Sequence, residues 1–455
     1  MRSIVARSVG FLRLLLVARP RGRGRRLRLR RREIRSAVGR HGLGVLVGAR
    51  GFGRVVPFHW GLLGHQRRAV PYTRAEHVRL ALEDLGPTFI KLGQIASTRA
   101  DVVPPDFQRE LARLQDAAPA EPFEAIRGAI ESELGRPLEA IFEHFEPTPL
   151  AAASIGQAHA AMLPDGTEVV VKVRRPDVVA RVECDLEILD QLVRRAAHRW
   201  DPEGQQDLPG LAAEFAETLC HELDYRREAE NAARFATRFA DDEMTVIPRV
   251  FTSLSTSRVL TLQRVRGIKI DDLAGLELAG IDRAALARRA AGLTLTMVFE
   301  HGFFHADPHA GNFFVQPEGR IALIDFGMVG AVDPATRSAL AAALYATTTR
   351  DTARLVDAFA SLSVTSGTFD RERLVRDLDE LMDSYLTRPL GEIEIGPLLQ
   401  DHLAVMRRHG MRVPPSLALL VKTIAMSEGI AARLDPSFQM IAALVPYAQR
   451  LAAPS

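Results

Sequence analysis

The chain contains little cysteine: Cys184 and Cys220 are the only two in 455 residues. Two thiols cannot form the disulfide framework of a small secreted domain, so we expect a reducing compartment. Neither cysteine lies in a sequence that is typical of a thiol nucleophile. We therefore interpret both as structural residues.

Long hydrophobic runs are also absent. A transmembrane helix needs about 18 or more consecutive apolar residues, and no such run occurs here. The strongest candidate, SLALLVKTIAM, is short and is interrupted by Lys422. We therefore expect a cytoplasmic chain without a transmembrane helix, attached at most peripherally to the inner face of a membrane.

Acidic residues are nearly absent from the first 40 residues, which contain 14 arginines and only Glu33 as an acid. This segment has a net charge of +13, and because the whole chain has +3 the remainder has −10. Its stretch SVGFLRLLLVARP resembles a membrane-surface anchor or a cleaved transit peptide, although a basic surface helix has the same composition. We expect an anionic membrane surface as a partner and no nucleic acid, because no basic face interleaved with aromatic residues follows.

Length and composition predict a globular protein of more than one domain. The chain is too long for one compact core, and its 47% hydrophobic and 25% charged residues are typical of folded proteins. Local patterns divide it into a basic, partly helical extension (1–70), a helical subdomain (71–133), a segment of short strands and helices (134–268) and a mostly helical segment (269–455).

A lysine stands in an otherwise apolar predicted strand, EVVVKV, which follows the hairpin turn PDG. The period of two places every second valine on one face and Val170 with Lys172 on the other. A lysine that is covered in such a strand needs an anionic partner.

The segment FFHADPHAGNFFV, residues 303–315, sets polar side chains between pairs of phenylalanines. We expect the phenylalanines to anchor this loop in the core, so that its polar groups are fixed before a substrate arrives. Asn312 precedes the predicted strand FFV, and Asp325 follows the predicted strand IALI after the turn QPEG. The two side chains should emerge side by side from this hairpin, where their oxygens suit Mg²⁺.

The order of these residues indicates phosphoryl transfer. The sequence has, in order, the members of the protein-kinase constellation, which together are far more specific than D-F-G alone: Lys172, a helical glutamate, Asp307, Asn312 and Asp325. Lys172 would contact the phosphates of ATP, and Asp307 would act as the catalytic base or orient the nucleophile. The predicted fold class is α+β, a bilobal protein-kinase-like fold with a small β-rich N-lobe (134–268), a helical C-lobe (269–455) and an added N-terminal helical subdomain.

Five blocks resemble the signatures of the UbiB/AarF atypical kinases, also called the ADCK family, over about residues 75–335. The blocks are PTFIKLGQIASTRADVVPPDF, AAASIGQAHAA, VVVKVRRP, HELDYRREAEN and FFHADPHAGNFFVQPEGRIALIDFGMVG. The resemblance implies that Lys91 and Gln94 form the family's K-x-G-Q motif, on a helical domain that covers the nucleotide cleft. Glu222 and Asp224 match its E-x-D motif, which is expected to meet K-x-G-Q and gate the site. Glu228 matches the partner of Lys172.

The resemblance also implies an alanine-rich loop in place of the usual glycine-rich phosphate loop. The residues expected to contact ATP are Ala151, Ala152, Ala153, Ser154, Ile155, Gly156, Lys172, Gln263 and Val265. Alanine restricts φ where glycine does not, so we expect a stiffer loop and a site that disfavours protein phosphorylation. The implied activity is that of an ATPase with ATP and Mg²⁺, which supports isoprenoid quinone (ubiquinone) biosynthesis or membrane lipid homeostasis. The implied partners are quinone-biosynthesis proteins or quinone and lipid precursors.

Three alternatives stay open at this point. A small-molecule phosphotransferase of the aminoglycoside/choline-kinase type has a similar H-x-D-x4-N loop but lacks the KLGQ and AAASIGQ blocks. A non-catalytic, ATP-gated lipid-binding scaffold would keep the same metal site. His301, His305 and His309 have the spacing of a transition-metal site on a helix, but the glycines and proline among them argue against a continuous helix. We expect His305 to brace the loop.

Overall fold

The structure is a computed structural model that describes residues 23–41, 72–97, 103–114, 119–200, 208–363, 369–386, 393–411 and 414–452. The chain divides into two compact units, Met1–Tyr225 with Thr256–Leu260 and Arg226–Ser255 with Thr261–Ser455. The division into four segments stays a prediction. The stretch SVGFLRLLLVARP lies outside the described residues.

The first unit is helical at its start and then alternates strands with helices. Its described helices are α1 (Arg23–Arg40), α2 (Arg74–Leu85), α3 (Pro87–Ser97), α4 (Pro105–Leu111), α5 (Phe123–Leu134), α6 (Val178–Trp200) and α7 (Leu208–Glu222). Helix α8 (Tyr225–Arg238) begins at Tyr225 in the first unit, and its other residues belong to the second unit. Its strands are β1 (His144–Phe145), β2 (Ala151–Ala152), β3 (Gly156–Met162), β4 (Glu168–Arg174) and the beginning of β6 (Val259–Gln263).

The helices at the start of the first unit begin and end at local sequence signals. Thr73 and Glu76 form a capping box at the start of α2, which satisfies two main-chain N–H groups of the first turn. The helix ends at Gly86, whose φ of 88° favours glycine, and Pro87 starts α3. Pro105 similarly starts α4.

Helix α1 presents two different faces. Arg30, Ile34 and Ala37 are buried at helical spacing, and α1 contacts α2 and α6. Arg30 Nε lies 2.5 Å from Asp185 Oδ1 on α6, and its Nη2 donates to Leu85 O at 2.6 Å. Because a buried arginine needs such partners, this contact fixes which face of α1 is covered.

The sheet of the first unit has the order β1-β3-β4-β6, with β2 also paired to β3. Strands β3 and β4 form the predicted hairpin, in which Lys172 lies opposite Ala158. Val169, Val171 and Val173 are fully buried, whereas Lys172 lies on the other, half-buried face. The predicted alternation is therefore confirmed.

The second unit consists of short strands and a large helical part. Its remaining strands are β5 (Thr245–Val246), β7 (Ile268–Lys269), β8 (Phe303–His305), β9 (Phe313–Val315), β10 (Ile321–Leu323) and β11 (Val329–Ala331). Its helices after α8 are α9 (Leu273–Leu278), α10 (Arg283–Leu295), α11 (Pro334–Thr349), α12 (Thr352–Leu362), α13 (Arg371–Leu386), α14 (Ile395–Arg408), α15 (Pro415–Leu434) and α16 (Met440–Ala452).

Two small sheets carry the loops of the second unit. One has the order β5-β10-β9-β7, and the other pairs β8 with β11 in antiparallel. Phe303, Phe304 and Phe313 are almost fully buried, while Phe314 alternates to the half-buried face. Three of the four phenylalanines therefore anchor the loop, as expected. None of the helices in the described ranges has both the length and the apolar character needed to cross a membrane.

Candidate functional site

The predicted site residues are shared between the two units. The first unit contains Lys91, Gln94, residues 151–156, Lys172, Glu222 and Asp224. The second contains Glu228, Gln263, Val265, Asp307, Asn312 and Asp325. Since Lys172 and Glu228 belong to different units, their ion pair stays a prediction.

Asn312 and Asp325 lie at the same end of the β9–β10 hairpin. Phe313 pairs with Leu323 in the antiparallel register, and Ile324 N donates to Asn312 O at 3.2 Å. Asn312, which precedes β9, and Asp325, which follows Ile324, are therefore neighbours. This is the arrangement that the strand pattern led us to expect.

The donor atoms at this hairpin end suit a hard cation. Asn312 is buried, and its Nδ2 donates to Asp307 O at 3.1 Å, so Oδ1 is the atom that can face a cation. Asp325 Oδ1 accepts from Gly327 N at 2.9 Å, which fixes the orientation of the carboxylate. One amide and one carboxylate oxygen fit Mg²⁺, which keeps its other positions for water and phosphate.

His305 holds the loop by a hydrogen bond to its main chain. It is buried, and its Nδ1 accepts from Asp307 N at 3.2 Å. Burial lowers the pKa of His305, although Asp325 and Asp307 act in the opposite direction, so the imidazole is neutral and able to accept. Among the described residues no three His, Cys, Asp or Glu side chains are placed to hold a metal ion together, so the three-histidine alternative has no geometric support.

Asp307 contacts a lysine that the sequence interpretation did not assign to the site. Lys422 Nζ on α15 lies 3.5 Å from Asp307 Oδ1, and His309 Nε2 lies 3.8 Å from Oδ2. In the sequence, Lys422 is seen only as an interruption of the apolar run SLALLVKTIAM. The requirement that a covered lysine has an anionic partner applies here as it does to Lys172, and it was the signal available in the sequence.

Helix α8 holds the D-F-G segment through its main chain. The carboxylate of Glu228 accepts from Phe326 N at 3.4 Å, and Asn231 Nδ2 donates to Phe326 O at 2.9 Å. Phe326 is fully buried and packs on Phe235, with ring centroids 5.3 Å apart. Asp325 is therefore positioned by the residue that follows it. Asn231 was not predicted, because only the tertiary contact identifies it.

The K-x-G-Q and E-x-D motifs are in contact within the first unit. Lys91 Nζ lies 2.8 Å from Glu222 Oε1, with 15% and 12% of the two side chains exposed. Gln94 Nε2 donates to Leu114 O at 3.2 Å, which ties α3 to the chain that follows α4. A β-carbon at Gly93 would collide with the side chains of Leu114 and Leu82, so a larger residue would force these leucines to move.

The E-x-D turn is also connected to the strand of Lys172. Arg174, on the same face of β4 as Lys172, donates from Nη1 to the O of Leu223, the residue between Glu222 and Asp224. Asp224 itself is half-buried, and its N donates to His221 O at 3.2 Å. The motif's turn is thus fixed against the strand.

The alanine-rich loop is a tight turn between β2 and β3. Ala153 N donates to Gly156 O at 2.8 Å, and Arg175 Nε donates to Ala153 O at 3.0 Å. A β-carbon at Gly156 would collide with the Tyr225 hydroxyl and with Val173 O. Alanine is accommodated within the turn, and glycine is required where the backbone meets Tyr225.

Gln263 and Val265, which were expected to contact ATP, lie at and just after the end of β6. Gln263 ends β6, is exposed, and its N donates to Arg249 O at 2.8 Å. Val265 is half-buried. Neither cysteine forms a disulfide in the described residues, and Cys184 is buried. Burial raises the pKa of Cys220, which disfavours the thiolate and supports the structural interpretation.

Two family models match the chain. The ABC1 atypical kinase-like domain matches residues 113–359, and the UbiB helical domain matches residues 378–439. The sequence pattern predicts one helical segment over 269–455. The UbiB helical domain matches only residues 378–439 of that segment. Lys422 lies in that part.

Several proteins are similar to this chain over most of its length. It is 38% identical over 395 residues to the "Probable protein kinase UbiB" of Xylella fastidiosa, covering 84% of this chain and 70% of that protein. It is 36% identical over 378 residues to "Protein ACTIVITY OF BC1 COMPLEX KINASE 7, chloroplastic" of Arabidopsis thaliana, covering 83% of this chain and 54% of that protein. An uncharacterised protein of Synechocystis is 36% identical over 379 residues, with 83% and 65% covered. The chain thus spans between about half and 70% of the length of these relatives.

A solved structure shares the fold. Rv3197 of Mycobacterium tuberculosis, in its complex with erythromycin, has a TM-score of 0.58 and 25% sequence identity, with 82% of this chain and 95% of that chain covered. Together with the kinase-like family model, this similarity confirms the predicted α+β protein-kinase-like fold. Because one family model matches more than half of the chain and curated UbiB proteins are 37–38% identical to it, the chain belongs to the UbiB/ABC1 family of atypical kinase-like proteins.

Proposed function

We propose that the chain binds Mg-ATP and acts as an atypical kinase or ATPase that supports isoprenoid quinone biosynthesis or membrane lipid homeostasis. The observation that carries this proposal is the hairpin end to which Asn312 and Asp325 are brought together by the bond from Ile324 N to Asn312 O. When bound, Mg²⁺ would neutralise phosphate charge. The quinone or lipid assignment rests on the family resemblance.

The residues around the proposed cation site have separate roles. Asn312 and Asp325 would hold the cation, and Glu228 with Asn231 keeps the D-F-G main chain in place. Asp307, whose N is held by His305, would orient the acceptor or take its proton. Lys422 would keep the Asp307 carboxylate oriented between turnovers.

The first prediction tests the cation ligand. Replacing Asp325 by Asn removes an anionic ligand from a dication, so Mg-ATP affinity or turnover should fall at least tenfold, or about 1.4 kcal/mol. Titration calorimetry with Mg-ATP and an ATP hydrolysis assay measure the two effects. Glu318→Gln is the matched control, since Glu318 is an exposed acid in the turn at the far end of the same hairpin. Unchanged binding and turnover in Asp325→Asn would refute the assignment, and binding without any turnover in the native protein would favour the scaffold.

The second prediction concerns Lys422. Lys422→Met should lower ATP turnover about tenfold while changing Mg-ATP affinity less than twofold, because its partner Asp307 acts on the acceptor and not on the cation. Lys269→Met, at an exposed lysine of the same unit, should leave both quantities unchanged.

A double-mutant cycle separates this role from a structural one. If Lys422 acts through Asp307, the double variant with Asp307→Asn should be no slower than Asp307→Asn alone. Losses that multiply, or an equal loss of nucleotide affinity, would contradict the role of Lys422.

The third prediction concerns the contact between Lys91 and Glu222. We propose that this pair holds the K-x-G-Q helix in a state that disfavours phosphorylation of protein side chains. Lys91→Met or Glu222→Gln should therefore raise self-phosphorylation from ATP several-fold, measured as incorporated labelled phosphate. Each single change leaves a largely buried charge without its partner, so folding is checked in parallel by thermal unfolding.

The charge-reversed pair is the control. Combining Lys91→Glu with Glu222→Lys restores opposite charges at the same two positions and should return self-phosphorylation toward the native level. If the reversed pair behaves like the single variants, the ion pair does not control this property.

We further propose that α1 brings the chain to an anionic membrane surface. The face opposite Arg30 and Ile34 exposes arginines at helical spacing, namely Arg25, Arg28, Arg32 and Arg35. Basic residues near an anionic leaflet contribute about 1 kcal/mol each. The contact of Arg30 with Asp185 fixes which face of α1 is covered. The four arginines therefore all lie on the opposite, exposed face of α1.

The fourth prediction tests this surface. Changing Arg25, Arg28, Arg32 and Arg35 to Gln should weaken binding to phosphatidylglycerol vesicles at least tenfold at low salt, with little binding to phosphatidylcholine vesicles in either case. Raising the salt concentration should reduce the difference, because the attraction is screened. Co-sedimentation measures the bound fraction.

A variant with the same change of net charge serves as the control. Arg283, Arg288, Arg373 and Arg376 are exposed arginines of α10 and α13. Their replacement by Gln should leave vesicle binding almost unchanged. Equal losses in the two variants would show that net charge, and not the face of α1, causes the binding.

A further inference from the structure

One arginine of the first unit connects the alanine-rich turn to an earlier part of the chain. Arg175 directly follows β4 and precedes Pro176, which restricts Arg175 to an extended backbone. Its main-chain N donates to Ile155 O at 2.9 Å, and its Nε donates to Ala153 O at 3.0 Å. Two carbonyl oxygens of the turn therefore face the same residue.

The rest of the guanidinium contacts residues 119–122, a segment that leads into α5. Nη1 of Arg175 lies 2.6 Å from Glu121 Oε1, and Nη2 donates to Pro119 O at 2.6 Å. The Arg175 side chain is 13% exposed. Its three nitrogens thus serve three different acceptors in the fixed geometry of one planar group. Arg175 is a bridge between the turn and the 119–122 segment.

A second contact holds the 119–122 segment on the sheet. Glu121 N donates to Oε1 of Gln157, a buried residue of β3, at 2.8 Å. Gln157 Nε2 lies 2.9 Å from His159 Nε2, and His159 Nδ1 lies 2.8 Å from Glu146 O. The carbonyl only accepts, so Nδ1 carries a proton. Burial lowers the pKa of His159, so the ring is neutral, Nε2 accepts from the amide, and Gln157 Oε1 is left for Glu121.

These contacts form a closed ring. It runs from Gln157 to Glu121 N, from the Glu121 carboxylate to Arg175, from Arg175 to Ala153 O, and back through the turn to Gln157. Hydrogen bonds that are connected in this way support one another. Removing Arg175 therefore releases the turn and the 119–122 segment together.

The place of the turn in the sheet gives this ring a function. In protein kinases a loop between two strands covers the phosphates, and the lysine stands on a later strand of the same sheet. Strands β2, β3 and β4 follow one another in that order, with Lys172 on β4. Carbonyl oxygens carry partial negative charge and repel a phosphate. Because Arg175 engages two of them, they are held from turning toward the anion.

We propose that Arg175 is a positioning residue for the nucleotide, which holds the alanine-rich turn against the 119–122 segment in the conformation that accepts the phosphates of ATP. This inference rests on the proposed function. It adds that the chain between α4 and α5 takes part in setting the phosphate site. Arg175 itself does not contact the nucleotide, since its guanidinium binds the turn and the segment.

The fifth prediction compares a ligand with phosphates and one without. In Arg175→Gln the dissociation constant of Mg-ATP should rise at least fivefold, because the carbonyl oxygens of the turn are released. The dissociation constant of adenosine should change less than twofold, because adenosine has no phosphate. Titration calorimetry on the full chain measures both. Arg79→Gln is the matched control and should change neither, since Arg79 is 16% exposed and pairs with Glu83 and Glu110 in the same unit.

Glu121→Gln tests the bridge from its other end. This variant keeps the main-chain bond to Gln157 but weakens the contact with Arg175, so Mg-ATP should bind two- to threefold more weakly and adenosine as before. The double variant with Arg175→Gln should bind Mg-ATP no more weakly than Arg175→Gln alone. Thermal unfolding checks the fold of each variant, and Glu121→Gln decides the question if Arg175→Gln does not fold.

Amide hydrogen exchange tests the bridge without nucleotide. Residues 151–158 should exchange faster in Arg175→Gln than in the native chain or in Arg79→Gln. Unchanged exchange would show that Arg175 does not hold the turn. Faster exchange with an unchanged ratio of ATP to adenosine affinity would overturn the role in nucleotide binding. A native chain that does not bind Mg-ATP would instead contradict the proposed function itself.

Discussion

The candidate cation site of the second unit depends on one main-chain hydrogen bond, from Ile324 N to Asn312 O. Strands β9 and β10 have three residues each, and so short a hairpin has little stability of its own. The bond extends the ladder by one residue and thereby brings Asn312 and Asp325 to the same end. Burial of Phe313 then disfavours a shift of register, because a slip by one residue would turn it to the half-buried face of β9.

Helix α8 contributes the second constraint on this site. Its Glu228 and Asn231 contact the two main-chain groups of Phe326 at 3.4 and 2.9 Å, one accepting and the other donating. The two residues are three positions apart and therefore share a helix face. Any displacement of α8 would carry the D-F-G main chain with it. Glu228 is thus connected to the candidate cation site through the main chain of Phe326.

Local pattern predicted the parts of the structure that local physics determines. The alternation in β4 and the β9–β10 hairpin follow from backbone preferences and periodicity within a few residues. The contact of Lys91 with Glu222 was predicted only through the family resemblance, because no sequence periodicity relates residues so far apart in the chain. Lys422 and Asn231 were missed for the same reason, because each acquires its partner only when distant helices pack. A lysine within an apolar run indicates that a partner exists, but not which residue it is.

Two buried histidines show how one hydrogen bond determines the use of a side chain. Burial lowers the pKa of both His305 and His402 and keeps both rings neutral. In His305, Nδ1 accepts from Asp307 N, so the ring holds the loop that carries Asp307. In His402, Nδ1 donates to Leu398 O one turn earlier, so the ring is fixed to its own helix.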